Sequence, residues 1–266
     1  MADIEEAPRD RVGFGRAEMF SEVLAGTVKT YGTHLFVCSG LSGGEWAHDT
    51  SKVEGSAHSA LEAVLSERKG ALGSVKTTLF AAEEGDSEGD VWAFPHALHL
   101  RPVHHAATQP GAWAEEVAQL LAEGCGVALQ SPAHVFVCAH ARRDKRCGTC
   151  GPALLQRLRD DLAQREGAGD SRRVTVRACS HVGGHAYAGN VLVFAPRAGQ
   201  SQLTGDWYGY VQPQDVGELL DTRIRDGVNL HALWRGAMGL TPEECKKAAE
   251  AACGDCAGCD SQRAYV

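Results

Sequence analysis

Apolar residues along this chain follow two rhythms that alternate. Short runs at 34–38, 75–81 and 90–94, either unbroken or of period two, predict strands. Between and after them, Leu61, Val64 and Leu65 set a helix over 60–67. Trp113, Val117, Leu120 and Leu121 set another over 112–123, stopped by Gly124. The plan then recurs, and His134-Val-Phe-Val-Cys138 echoes His34-Leu-Phe-Val-Cys38. Gly151-Pro152 reads as a helix start with proline in the first turn, and Leu154, Leu155, Leu158 and Leu162 form its inward stripe. Strands are expected at 173–178, 190–194 and 206–211, the last carrying Trp207, Tyr208 and Tyr210. Val216, Leu219, Leu220 and Ile224 give a closing helix over 214–226.

Each half reads β–α–β–β(–β)–α. A helix between the first two strands is a crossover, so those two are expected to be parallel and the later ones antiparallel. The expected fold class is α/β: two thioredoxin-like lobes with mixed sheets, the C-terminal lobe carrying a metal site. The division along the chain is an arm over 1–25 with a short helical piece at 17–24, and a degenerate lobe over 26–108. The ligand-bearing lobe follows over 109–238, and then a Cys-rich tail over 239–266, outside the fold from Thr241 on.

Composition narrows the function. A hydrophobic share of 44% is ample for a core. The net charge of −8 gives no basic face for nucleic acid. No apolar run approaches the ~20 residues of a membrane span. The acidic opening resembles neither a signal nor a transit peptide, which points to a cytoplasmic protein. In that setting ten cysteines argue for metal or redox chemistry rather than disulfides. Cys38, Cys125 and Cys179 read as plain buried thiols.

Two loops carry candidate chemistry. Cys138-Ala-His-Ala-Arg-Arg-Asp-Lys-Arg-Cys147 leaves one strand, and His181-Val-Gly-Gly-His185 leaves another. Two thiols and two imidazoles suit zinc or an iron–sulfur cluster. Gly183-Gly184 favours a loop over a helix for the two histidines. Cys147-Gly-Thr-Cys150 also reads as a redox dithiol at a helix N-terminus, which would make the protein a thiol–disulfide oxidoreductase. The basic run Arg142, Arg143, Lys145 and Arg146 would suit an acidic partner or cofactor phosphates. The tail thiols Cys245, Cys253, Cys256 and Cys259 could hold a second metal or form an oxidisable tail.

These motifs as a set resemble the sucrase/ferredoxin-like family. They are the two-cysteine loop running into Cys-Gly-Thr-Cys-Gly-Pro-Ala-Leu, Cys-Ser-His181-Val-Gly-Gly-His185 with Tyr187-Ala-Gly-Asn190, Trp207-Tyr-Gly-Tyr-Val, and Leu233-Trp-Arg-Gly. Gly13-Phe-Gly-Arg-Ala-Glu-Met and Leu24-Ala-Gly-Thr-Val agree with the opening, so the likeness covers about 11–240. The resemblance implies a thioredoxin-like ferredoxin with a [2Fe–2S] cluster, Cys138 and Cys147 on one iron and His181 and His185 on the other. It implies one-electron, proton-coupled transfer or redox sensing with a redox partner such as a reductase, in a possible larger assembly, rather than turnover of a small substrate. Tyr187 and Asn190 are then candidates to support the ligand loop. A structural Cys2His2 zinc module remains the rival expectation.

Overall fold

The parallel strands β1 (Thr33–Ser39) and β2 (Val75–Ala81) lie side by side because helix α1 (Ala57–Glu67) crosses between them. These relations come from a computed structural model, which describes residues 13–17, 19–20, 23–41 and 43–254. The Ser56 side chain caps α1 by accepting the Ser59 amide at 3.1 Å. A four-residue helix α2 (Lys69–Leu72) follows it. Strands β3 (Val91–Phe94) and β4 (Leu98–Leu100) continue antiparallel on the other side of β1. Helix α3 (Pro110–Glu123) ends at Gly124 in the left-handed conformation, as its sequence predicts. Leu61 of α1 and Trp113 and Val117 of α3 are buried against Leu35 and Val37 of β1. By packing, α3 therefore goes with the first lobe rather than opening the second at residue 109. The short β5 (Val127–Ala128) pairs with β4.

The second lobe repeats the order. Strands β6 (Ala133–Cys138) and β7 (Val174–Cys179) are parallel, joined through helix α4 (Lys145–Gly167). Strands β8 (Val191–Pro196), β9 (Leu203–Tyr208) and β10 (Trp234–Ala237) extend from β6 in antiparallel fashion. Helix α4 begins at Lys145, earlier than Gly151, because Asp144 caps it by accepting the Arg146 amide at 2.9 Å. Pro152 thus lies inside the helix. The predicted helix at 214–226 is a run over 213–225, here α5, that passes from 3-10 through α to a π turn (Leu219–Arg225). Val216, Leu219 and Leu220 of α5 pack on Leu154, Leu155 and Leu158 of α4 in the second lobe's core.

One ten-stranded mixed sheet results, because β2 and β7 join the lobes through a single antiparallel pair, Phe80 and Cys179. The sheet folds about that joint so that its helix-free faces meet. Phe36 stacks on Phe136 at 3.6 Å between ring centroids, and Phe94 on Phe194 at 4.2 Å. Each such pair is worth about 0.5–1.5 kcal/mol beyond its buried area. These are corresponding residues of the two lobes, so the duplication visible in the sequence is also the symmetry of the central core.

Three expectations are corrected at the margins. No helix occupies the described residues of 17–24, where Phe20 has a positive φ. The tail from Thr241 is not wholly outside the fold. Helix α6 (Pro242–Gly254) buries Cys245 in the second lobe's core, with Ala248 and Ala249 packed alongside. Cys125 is exposed in the turn after Gly124, unlike Cys38 and Cys179, which are buried. Cys256, Cys259 and the side chain of Cys253 lie outside the described residues. Among the described residues no helix is long and apolar enough to cross a membrane.

Candidate metal centre

The parallel strands β6 and β7 set Cys138 beside Cys179 at their C-terminal ends, and the two following loops start from there. Loops at such strand ends are where open α/β sheets build sites. Helix α4 returns against the first loop unusually closely. A side chain at Gly151 would strike the Cys138 carbonyl and the Ala139 backbone, at 2.5 and 2.7 Å from its Cβ. That approach carries Cys147, in the first turn of α4, to Cys138.

Cys138, Cys147 and His181 offer ligand atoms that all lie within 4.8 Å of one another. Both thiols are buried and His181 is partly so. Cys147 donates to Cys138, which holds the Cys138 thiol well below its ordinary pKa, with His181 assisting. The same bond, with burial, pushes Cys147 up. A bound metal would take the place of the proton between the two sulfurs. His181 Nδ1 is buried with no hydrogen-bond partner, which leaves it available to a metal.

His185 stands outside this compact trio. It is exposed, with its ring centroid 5.8 Å from that of His181. Gly183 and Gly184 between them both have positive φ, so the loop reading holds in place of a helix. Cys179, despite its place beside Cys138, is a core thiol whose pKa burial drives well above the ordinary value.

Asn190 is the strut of the site. Its carbonyl accepts the Cys138 amide at 3.0 Å, and its side-chain amide donates to the Gly184 carbonyl at 3.0 Å. The Asn190 side-chain oxygen in turn accepts from Arg235 at 2.6 Å. Tyr187 donates its amide to the Gly184 carbonyl of the histidine loop at 3.0 Å and lies under the Arg235 guanidinium, 4.5 Å from its ring centroid. Three supporting residues carried no role in the sequence reading. His140 Nδ1 accepts the His181 amide at 3.2 Å, which leaves the proton on Nε2. Arg16 donates to the Ala188 carbonyl at 2.9 Å and reaches Cys150 Sγ at 3.5 Å. Arg235 is the third. Only His140 had a local signal, its place two residues beyond Cys138.

The basic loop divides. Arg143 contacts His48 and Arg146 pairs with Asp144, whereas Arg142 and Lys145 are exposed.

The sequence profile of the sucrase/ferredoxin-like family matches residues 24–236. The protein called Altered inheritance of mitochondria protein 32 of Meyerozyma guilliermondii is 47% identical over 102 residues, 38% of this chain and 33% of that one. Its namesake from Debaryomyces hansenii is 36% identical over 102 residues, 38% and 34% of the two chains. The match thus spans about a third of the length of these curated relatives. Among solved structures, a thioredoxin-like [2Fe–2S] ferredoxin from Aquifex aeolicus is similar over 42% of this chain and 96% of its own. Its identity is 19% and its TM-score 0.33, too slight a likeness to bear on the site. With most of its length matched by one profile, the chain belongs to the sucrase/ferredoxin-like family.

Proposed function

We propose that the chain is a one-electron carrier or redox sensor holding a [2Fe–2S] cluster through Cys138, Cys147, His181 and His185. The observation that carries this reading is the gathering of Cys138, Cys147 and His181 within 4.8 Å, with His185 one ring contact further out. Two thiolates and two imidazoles form a donor set suited to a mixed-ligand two-iron centre. Imidazoles in place of two thiolates raise its potential over an all-Cys cluster. The word ferredoxin in the family's description agrees.

When bound, the cluster supplies reversible one-electron chemistry. The residues do the rest. Buried Cys138 and Cys147 keep their side of the centre from water, and the exposed His185 brings the other side to the surface, where an electron can pass to a partner. A histidine ligand at the surface also has a second ring nitrogen open to protons, so uptake of an electron couples to uptake of a proton. We place Arg142 and Lys145 at the approach of that partner, a reductase or similar donor with an acidic face. The compartment we propose is a reducing one such as the cytoplasm, which suits the free thiols of Cys138, Cys147 and Cys179. The relatives' name extends the choice to the mitochondrion.

The compact trio also suits a single zinc ion, which is the second reading. The dithiol reading fares worse: exchange needs an accessible thiolate, and Cys147 and Cys150 are both buried. Iron, sulfide and zinc analysis of anaerobically purified protein tests the assignment. About two irons and two sulfides per chain support it, and stoichiometric zinc without iron contradicts it.

A further inference from the structure

Arg235 stands at a break in the pairing of β10 with β9. Trp234 pairs with Tyr208 and Gly236 with Trp207, so the arginine is the extra residue of a bulge, a device that re-aims a side chain. Here it turns the guanidinium inward, beneath the histidine loop. The residue is only 2% exposed. Its donors go to Asn190 Oδ1 at 2.6 Å, Thr27 Oγ1 at 3.0 Å, the Thr27 carbonyl at 3.3 Å and the Gly183 carbonyl at 3.5 Å. Tyr187 and Trp207 present their ring faces to it. Each of these partners is neutral. Gly184 is confined to glycine by the same group, since a Cβ there would collide with the guanidinium.

The Arg223 guanidinium is also buried, and it has the Asp206 carboxylate 2.8 Å away. No carboxylate pairs with Arg235 among the described residues. Burying a cation without a counter-charge is costly. Burial lowers its pKa only to about 10, with Tyr187, Tyr210 and the thiols of Cys138 and Cys147 opposing, so it stays charged at neutral pH. A centre in the adjoining site that becomes negative would supply the missing counter-charge. A zinc ion with two thiolates and two neutral imidazoles sums to zero charge and stays there. A two-iron, two-sulfide centre with the same ligands sums to zero when both irons are ferric and to one negative after a single electron, before a proton follows it to the exposed histidine.

We propose that Arg235 is the built-in counter-charge of the reduced centre and sets its reduction potential. This rests on the cluster reading above. The step, taken at a pH high enough that no proton follows the electron, is simple: a low-potential one-electron donor is oxidised, one ferric iron becomes ferrous, no covalent bond changes, and the guanidinium keeps its proton. Thr27 and Asn190 act on it as positioning residues.

The test is a redox titration of the cluster-loaded full chain with dithionite and mediators, followed in the visible spectrum, for wild type, Arg235→Gln, Arg235→Lys and Thr27→Asp. Thr27→Asp sets a carboxylate against the guanidinium without touching a proposed ligand. At a fixed potential, Arg235→Gln and Thr27→Asp are each expected to lower the reduced-to-oxidised ratio at least tenfold, which is 59 mV for one electron. Arg235→Lys, which keeps the charge, should stay within a few-fold of wild type. If Arg235→Gln fails to fold or loses iron, Thr27→Asp decides. Ratios within twofold of wild type at unchanged iron and sulfide content overturn the role of Arg235 while leaving the cluster in place. A wild type that takes up no iron is instead the failure of the cluster reading.

Discussion

The backbone of Asn190 holds that of Cys138: the Cys138 amide donates to the Asn190 carbonyl at 3.0 Å across β6 and the loop before β8. The side chain of the same asparagine reaches both Gly184 and Arg235. One residue therefore ties the cysteine strand, the histidine loop and the buried cation together. Asn190→Ala keeps the first tie and cuts the other two. With one of the lost bonds made to a charged group, the expected cost is about 2–4 kcal/mol. A melting curve measures that, and faster metal loss to a chelator should accompany it.

Gly151 tests the close approach of α4. Gly151→Ala would put a methyl group into the Cys138–Ala139 backbone, so the helix has to back away and take Cys147 with it. The expected result is a folded but destabilised protein with much less metal per chain. Full metal content in Gly151→Ala would contradict the geometry given for the cysteine pair.

Cys150 and Cys147 share a helix face, yet only Cys147 belongs to the trio. Cys150→Ser is expected to keep the metal and its spectrum, and Cys147→Ser to lose both. Metal analysis of the two variants side by side checks this.

Much of this fold was legible because its signals are local. The strands at 34–38, 75–81 and 134–138 and the helices bearing Leu61 and Trp113 follow from apolar spacing within a few residues. The start of α4 was misplaced because Pro152 imitates a first-turn proline, while the true cap, Asp144, sits in a basic run. Strand β10 and helix α6 were missed because Trp234-Arg-Gly-Ala has no strand rhythm and the tail reads as polar around Cys245. The candidate ligands stood out by their spacing. Arg235 did not, since its meaning depends on a bulge, the lack of a carboxylate partner among the described residues and a loop some fifty positions away. The folding of one sheet onto itself through Phe36 and Phe136 depends likewise on long-range pairing.

His34 and His134 occupy corresponding places but differ in their partners. Trp207 donates to Tyr31 Oη at 2.7 Å, Tyr31 donates to His34 Nδ1 at 3.2 Å, and His34 Nε2 donates to Thr78 Oγ1 at 2.8 Å. Neither ring nitrogen of His134 has a hydrogen-bond partner. Burial holds His134 down to about 4. Folded protein therefore binds fewer protons there than unfolded protein between about pH 6.5 and 4. This stability is present above pH 6.5 and is lost as the pH falls, by about 3 kcal/mol at pH 4. His134→Phe should flatten the fall in melting temperature between pH 7 and 5, whereas His34→Phe should destabilise at both by breaking its bonds.

In the proposed function the two loops hold a two-iron cluster with mixed ligands. Its most direct test is EPR of the dithionite-reduced, anaerobically purified protein, taken with its iron and sulfide content. The account predicts a red-brown protein with about two irons and two sulfides per chain and a rhombic signal of low average g. Colourless protein with one zinc per chain and no signal would contradict it.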